Sequence, residues 1–295
     1  MSRPLIAWLP DGRRLHMNHG PIDLIVEAFG PERERQEAYA QATRRFETIL
    51  EELVLELALL RQPVSEAPRA FHSPVAQRME EATVRHFPLF VTPMAAVAGS
   101  VADEVLAAMV SGRHLTKAYV NDGGDVALHL APGETLKAAI AGTGNRLDDR
   151  VTIRAADPVR GIATSGWHGR SHSLGIADAV TVLAETGAAA DAAATLIANA
   201  VDLPGHPAIT RVPASEIDPD TDLGDRLVTQ DVGPLSAGET AAALEQGAAV
   251  ARSMAKRGLI HSATLFLNGQ ALICGPLAIT DDNPYKLPGR SACHA

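Results

Sequence analysis

The chain predicts an α+β fold with a mainly antiparallel sheet packed against helices, on three observations. Short apolar runs are joined by glycine turns: residues 4–9, 14–18 and 21–28 break at Asp11-Gly12 and Gly20-Pro21, and residues 116–121 and 125–130 meet at Asp122-Gly123-Gly124. Long helical stretches separate blocks of strands and do not follow each strand in turn, which disfavours a parallel βαβ sheet. Apolar residues make up 46% of the chain and Ala supplies much of that share, as close helix packing requires.

The elements follow in order. After the opening meander, Pro31 stands at the favoured first position of a long helix. Phe46, Ile49, Leu50, Leu53, Val54 and Leu57 recur at helical spacing and form its apolar stripe. A Pro-rich connector (63–74) leads to a short helix at 76–86 and an expected strand at 88–92. A small-residue helix, MAAVAGSVADEVLAAMV, precedes the Gly-Gly hairpin. Residues 136–142, 151–155 and GIATS (161–165) are further strand candidates, and a helix is expected at about 187–200. Residues 201–235 read as loop-rich, with Asp218, Asp220 and Asp222 lacking the Gly and closing Glu of a calcium loop. Ser236-x-x-Glu239 opens the last helix, two strands follow, and 281–295 read as a frayed tail of one single domain, 1–295.

Composition excludes several roles. A net charge of −9 does not suit a binder of nucleic-acid backbones, and 4% aromatic content does not suit a base-stacking surface. The N-terminal MSRPLIAWLP lacks the apolar core of a signal peptide, and LEELVLELALL is interrupted by Glu51, Glu52 and Glu56, so no membrane partner is expected. Cys274 and Cys293 cannot build a disulfide framework, which points to a reducing, cytoplasmic setting.

Polar groups concentrate between Ala163 and Thr195. Thr164, Ser165 and Gly166 end a strand, and Gly169, Arg170, Ser171, His172 and Ser173 follow within one loop. Glycine permits close backbone approach, hydroxyls and N–H groups bind anions, and Arg170 adds a planar cation, so the loop suits a phosphate or carboxylate. His168 and His172 are candidate acid–base groups, as is Asp178. Neither serine lies in a G-x-S-x-G elbow, and the H-x-x-x-H pair has no zinc-binding companions. Asp191 and Thr195 lie one turn apart on the Ala-rich helix, a hard-oxygen pair suited to Mg²⁺. The same spacing also suits an acid at a helix start and a Thr bonded to its own helix.

The series PMAAVAGSVADEVLAAM, AYVNDGGDVALHL, GIATSG and VTVLAETGAAADAAAT resembles, in the same order, the ApbE family of FAD:protein FMN transferases. The matching residues are Gly99 with Asp103, Asn121 with Gly123, Gly124 and Asp125, Ala163 to Gly166, and Asp191 with Thr195, over about 85–205. HGPIDL and TPMAAVAG resemble a shorter, uncharacterised branch of that family. The resemblance implies a T-fold-like architecture, an FAD or FMN pocket, Mg²⁺ on Asp191 and Thr195, and transfer of FMN to a flavoprotein acceptor. It departs from the family at Ala98, where Lys precedes the Gly, and in the H-I-x-D-P segment, replaced here by RSHSLGIADAV. Two other readings stay open: a flavin- or metabolite-binding protein without transfer activity, and a homo-oligomer built through its small-residue-rich sheet.

Overall fold

The computed structural model describes residues 3–139, 149–276, 279–281 and 291–293. In chain order the elements are β1 (Leu5–Trp8), β2 (Leu15–His19), β3 (Ile22–Phe29), α1 (Glu32–Leu60), α2 (Pro74–Val84), α3 (Val97–Val110), β4 (Lys117–Asp122), β5 (Asp125–Leu130), β6 (Thr135–Ala139), β7 (Asp149–Arg154), β8 (Gly161–Ser165), β9 (Ala179–Ala184), α4 (Gly187–Ala200), β10 (Ile209–Pro213), α5 (Ala214–Ile217), β11 (Leu227–Val232), α6 (Ala237–Lys256), β12 (Ser262–Leu267), β13 (Gln270–Cys274), β14 (Ile279–Asp281) and β15 (Ser291–Cys293). Helices and a mainly antiparallel sheet make this the expected α+β class. The chain packs as two compact units, each assembled from distant segments: Met1–Leu136 with Arg154–Ala163 and Glu185–Ala192, and Lys137–Ile153 with Thr164–Ala184 and Ala193–Ala295.

In the first unit β1 to β5 form an antiparallel meander, and β8 joins β5 through the pairs Val126–Ile162 and Ala127–Gly161. Burial alternates along β2 and β4, so one face of the sheet meets the helices. Leu24, Val26, Ala118 and Val120 on that face pack with Phe46 and Ile49 of α1 and Val101, Val105 and Met109 of α3. Burying side chains of this size, at roughly 1.5–3 kcal/mol each, supplies most of the driving force. The stretch Pro93–Val110 is apolar and long enough to cross a membrane, but half of it is buried against this sheet and α1.

In the second unit β9 and β13 flank β12, both antiparallel, and β15 adds to β13 in parallel. Every residue of β9 and β12 is buried, as expected of strands covered on both faces. Helix α6 packs on β12 and β13, with Gly247 at the crossing, where an added Cβ would lie 2.3 Å from Val201 Cγ2. Strands β14, β7 and β6 form a separate three-stranded sheet.

Four expectations need revision or completion. Pro31 is the N-cap, so α1 begins one residue later at Glu32. Residues 88–92 form no strand; Val64 donates one backbone bond to the Val91 carbonyl at 2.9 Å, which pins the segment without a ladder. The loop-rich 201–235 contains an antiparallel ribbon, β10 with β11, which a bulge between Thr210 and Arg211 hides from a strict alternation pattern. Of the expected tail, Asp281 and Ser291–Cys293 lie in strands, and the other positions fall outside the described residues.

Candidate functional site

The first unit carries a carboxylate corner built where α3 and α4 begin. An α-helix leaves its first N–H groups without internal partners. At α4, Thr186 Oγ1 accepts the Ala189 N–H at 3.1 Å, as an N-cap does. The two preceding N–H groups go elsewhere: Gly187 donates to Asp103 Oδ1 at 2.9 Å and Ala188 to Asp103 Oδ2 at 2.8 Å. At α3, Ala96 provides no side-chain cap, and Gly99 donates to Asp191 Oδ2 at 3.0 Å, with a second backbone bond from Ala98. Each aspartate thus caps the helix that it does not belong to.

The crossing is tight enough to demand glycine. A Cβ added to Gly99 would lie 2.2 Å from the Gly187 carbonyl oxygen, and one added to Gly187 would lie 2.9 Å from the Gly99 carbonyl oxygen. Gly161 on β8 is as confined, since an added Cβ there would lie only 1.9 Å from the Thr186 carbonyl oxygen. The Gly-x-x-x-Asp pattern of Gly99 and Asp103 therefore recurs in Gly187 and Asp191, a repetition that sequence reading passed over.

Burial pushes both carboxyls above the ordinary carboxylate range. For Asp103 burial is opposed by the Ala188 and Gly187 N–H groups and by Arg78. For Asp191 burial leads, Asp125 adds negative potential, the Gly99 N–H opposes it, and Asp122 adds a further negative charge. Asp122 and Asp125 flank the Gly123-Gly124 turn, whose glycines take φ of 62° and 119°, and Asn121 Oδ1 accepts the Gly124 N–H at 2.8 Å. Of the predicted residues, Asp125 thus bears electrostatically on Asp191, and Asp122 adds a charge that the sequence alone did not assign to the site.

Thr195 follows Asp191 by one turn on the same face of α4, and both are half-buried. Among the described residues no three His, Cys, Asp or Glu side chains are grouped to hold a metal ion. A two-residue oxygen set under negative potential still fits Mg²⁺, which takes one or two carboxylates and completes its shell with waters and substrate phosphates.

The second unit carries the polar loop. Thr164 Oγ1 shares a hydrogen bond with Thr181 Oγ1 at 2.9 Å, so this hydroxyl is partly engaged by the sheet. Gly166 passes so close to the Asp178 backbone that an added Cβ would lie 2.4 Å from its carbonyl oxygen. Asp178 Oδ2 accepts the Asn268 N–H at 2.7 Å, and Oδ1 lies 3.5 Å from His168 Nε2. The His168 ring stacks at 3.8 Å on Trp167. Asp178 therefore pairs with His168, whereas His172 is half-buried and makes no hydrogen bond among the described residues. Arg170 and Ser171 are exposed on the same loop, as is Gly169. The loop's far end is pinned, since Thr229 donates through N–H to the Ser173 carbonyl and through Oγ1 to the Gly175 carbonyl. Asn268, in the left-handed region at φ 47°, is a support that no local motif announces.

Comparison with known proteins adds the family context. The family described as AbpE bacteria matches residues 6–273. The chain is 37% identical over 117 residues to a UPF0280 protein of Methanococcoides burtonii, covering 39% of this chain and 48% of that one. It is 42% identical over 113 residues to a UPF0280 protein of Methanopyrus kandleri, covering 38% and 44%. The chain spans about half the length of the curated relatives it matches. Among solved structures, a mutant flavin transferase ApbE from Vibrio cholerae aligns over 92% of this chain and 96% of its own, at 12% identity and a TM-score of 0.48. A flavinyl transferase ApbE from Pseudomonas stutzeri aligns over 95% and 96%, at 11% identity and a TM-score of 0.45.

Proposed function

The chain belongs to the AbpE bacteria family, and from that membership we propose that it binds a flavin nucleotide with Mg²⁺ and transfers FMN from FAD to a protein hydroxyl. The observation that carries this reading is Asp191: a half-buried carboxylate bonded to the start of α3, with Asp125 and Asp122 as its charged neighbours and the Thr195 hydroxyl one turn away. Such a corner is costly to the fold without a cation and favourable with one. Bound there, Mg²⁺ supplies Lewis-acid polarisation of a pyrophosphate. In the transfer, the bond between the FMN phosphorus and the AMP oxygen breaks, AMP leaves, the acceptor hydroxyl oxygen bonds to phosphorus, and its proton passes to the general base. The Gly123-Gly124 turn offers open backbone beside the carboxylates, where an added Cβ at Gly124 meets nothing within 4 Å. The loop groups Thr164, Ser165, Gly166, Arg170 and Ser171 are the anion-recognition set. His172 and Asp178 are the acid–base assignment, with His168 joined to it through Asp178.

A second reading, flavin or metabolite binding without transfer, is favoured by one feature. The family's Lys before the Gly is Ala98 here, and the chain's contribution at that position is a backbone N–H to Asp191.

Titration of FAD and of FMN with and without Mg²⁺, in the wild type and Asp191→Ala, tests the pocket. Mg²⁺-dependent FAD binding that Asp191→Ala abolishes is the expected result. Absence of flavin binding at high micromolar ligand overturns both readings. Mass spectrometry of a co-expressed flavoprotein acceptor then separates transfer from binding alone.

A further inference from the structure

We propose that Asp103 is a positioning residue for Asp191: its grip on the start of α4 sets how that helix is turned, and so keeps the Asp191 carboxylate against the start of α3. Three independent observations meet here. Both Asp103 oxygens are used, each on one of the first two N–H groups of α4. The return contact runs from α4 to α3 through Asp191 and Gly99. Between the two contacts, Gly99 and Gly187 touch backbone to backbone, with no space for a Cβ on either side.

Close packing allows such a contact few arrangements. With the glycines in contact, the first turn of α4 can still twist locally, and the Asp103 fork holds it. Releasing the fork lets that turn twist, and Asp191 leaves Ala98 and Gly99. The two caps then open together although they share no atom. The consequence for Mg²⁺ rests on the function proposed above, whereas the mechanical coupling does not.

Amide hydrogen exchange on the full chain tests the coupling without a ligand. Asp103→Asn keeps the shape but turns an NH₂ donor onto one of the two N–H groups. The expected result is exchange on the order of tenfold faster at Gly187 and Ala188, and a similar rise at Ala98 and Gly99, which Asp103 does not touch. Ser236→Ala, which weakens the start of α6 in the second unit, controls for general loss of stability and leaves Ala98 and Gly99 unchanged. If Asp103→Asn does not fold, Asp103→Glu, which keeps the charge but lengthens the fork by one methylene, gives a smaller rise at the same amides. Faster exchange confined to Gly187, Ala188 and Ala189 overturns the proposal.

In parallel, the Mg²⁺ concentration that half-saturates the thermal shift rises roughly tenfold in Asp103→Asn, the usual scale for groups that orient a metal ligand. A wild-type chain without any Mg²⁺ response overturns the metal reading alone, and the exchange data still decide the coupling.

Discussion

Asp103 and Asp191 perform one task in opposite directions, and their surroundings differ in sign. Each lies four residues after a glycine, each carboxylate takes backbone N–H groups from the other's helix, and each is pushed up by burial. Around Asp103 the chain supplies relief: two N–H groups and the Arg78 guanidinium favour the ionised form, against Glu104. Around Asp191 it supplies the reverse, with Asp125 and Asp122 making the ionised form harder to hold. A purely structural cap would gain nothing from such neighbours. Cost of this kind, placed beside a satisfied twin, is what the cation proposed for Asp191 would relieve.

The crossing that both aspartates depend on is the most sensitive point. Gly99→Ala places its methyl 2.2 Å from the Gly187 carbonyl oxygen, and Gly187→Ala places its own 2.9 Å from the Gly99 carbonyl oxygen. Relief requires separating two helix backbones, so each change costs about 3 kcal/mol or more, with Gly99→Ala the worse. Chemical denaturation of the two variants measures it. Equal and small losses would mean that the helices slide apart easily, and the paired-cap description would fail.

The twins themselves should then separate. Asp103→Ala leaves two buried N–H groups without acceptors and lowers stability by about 2–3 kcal/mol. Asp191→Asn keeps an acceptor for Gly99 and removes the charge facing Asp125 and Asp122, so the metal-free variant is as stable as the wild type at pH 8, or more so. The sign follows from the raised value. A carboxyl that holds its proton more tightly folded than unfolded stabilises the fold at pH below the unfolded value, about 3.9, and that stability is lost as pH rises through the folded value. Asp191→Asn flattens this decline in melting temperature with rising pH, while Mg²⁺ raises the wild type and leaves the variant unmoved. A variant less stable than the wild type across the whole range would make Asp191 an ordinary cap.

Much of this corner could be seen in the residues alone. Helix α4 runs from Gly187 to Ala200 as its Ala-rich composition predicted, and the Gly123-Gly124 turn joins β4 to β5 as expected. Local patterns carry such elements because helix and hairpin signals act over a few neighbours. The reciprocal caps were not seen, since Asp103 and Gly187 are 84 positions apart and either Gly-x-x-x-Asp taken singly is only an acid one turn after a glycine. Repetition of that spacing was the available signal. The pairing of Asp178 with His168 depends on the fold in the same way, through Asn268, which reaches Asp178 across 90 positions. The β10–β11 ribbon was hidden by its bulge and by the acidic residues between its strands.

An ordinary cap in the second unit gives the smallest effect and the opposite pH dependence. Ser236 and Glu239 form a reciprocal capping box at α6, and His206 Nε2 lies 2.9 Å from Glu239 Oε1. Bonds from Ser236, then from His206, hold the Glu239 carboxyl down at about 2. A lowered carboxyl stabilises the fold above its unfolded value, and that contribution disappears as pH falls through the folded value, here from about 4 towards 2. Ser236→Ala lowers stability by about 1 kcal/mol at neutral pH and shallows the acid-side decline, because one of the bonds that hold Glu239 down is gone. It leaves the decline with rising pH assigned to Asp191 and the Mg²⁺ response as they were. A change in that decline would mean that the pH dependence assigned to Asp191 belongs to the fold as a whole, and the contrast between the two aspartates would lose its support.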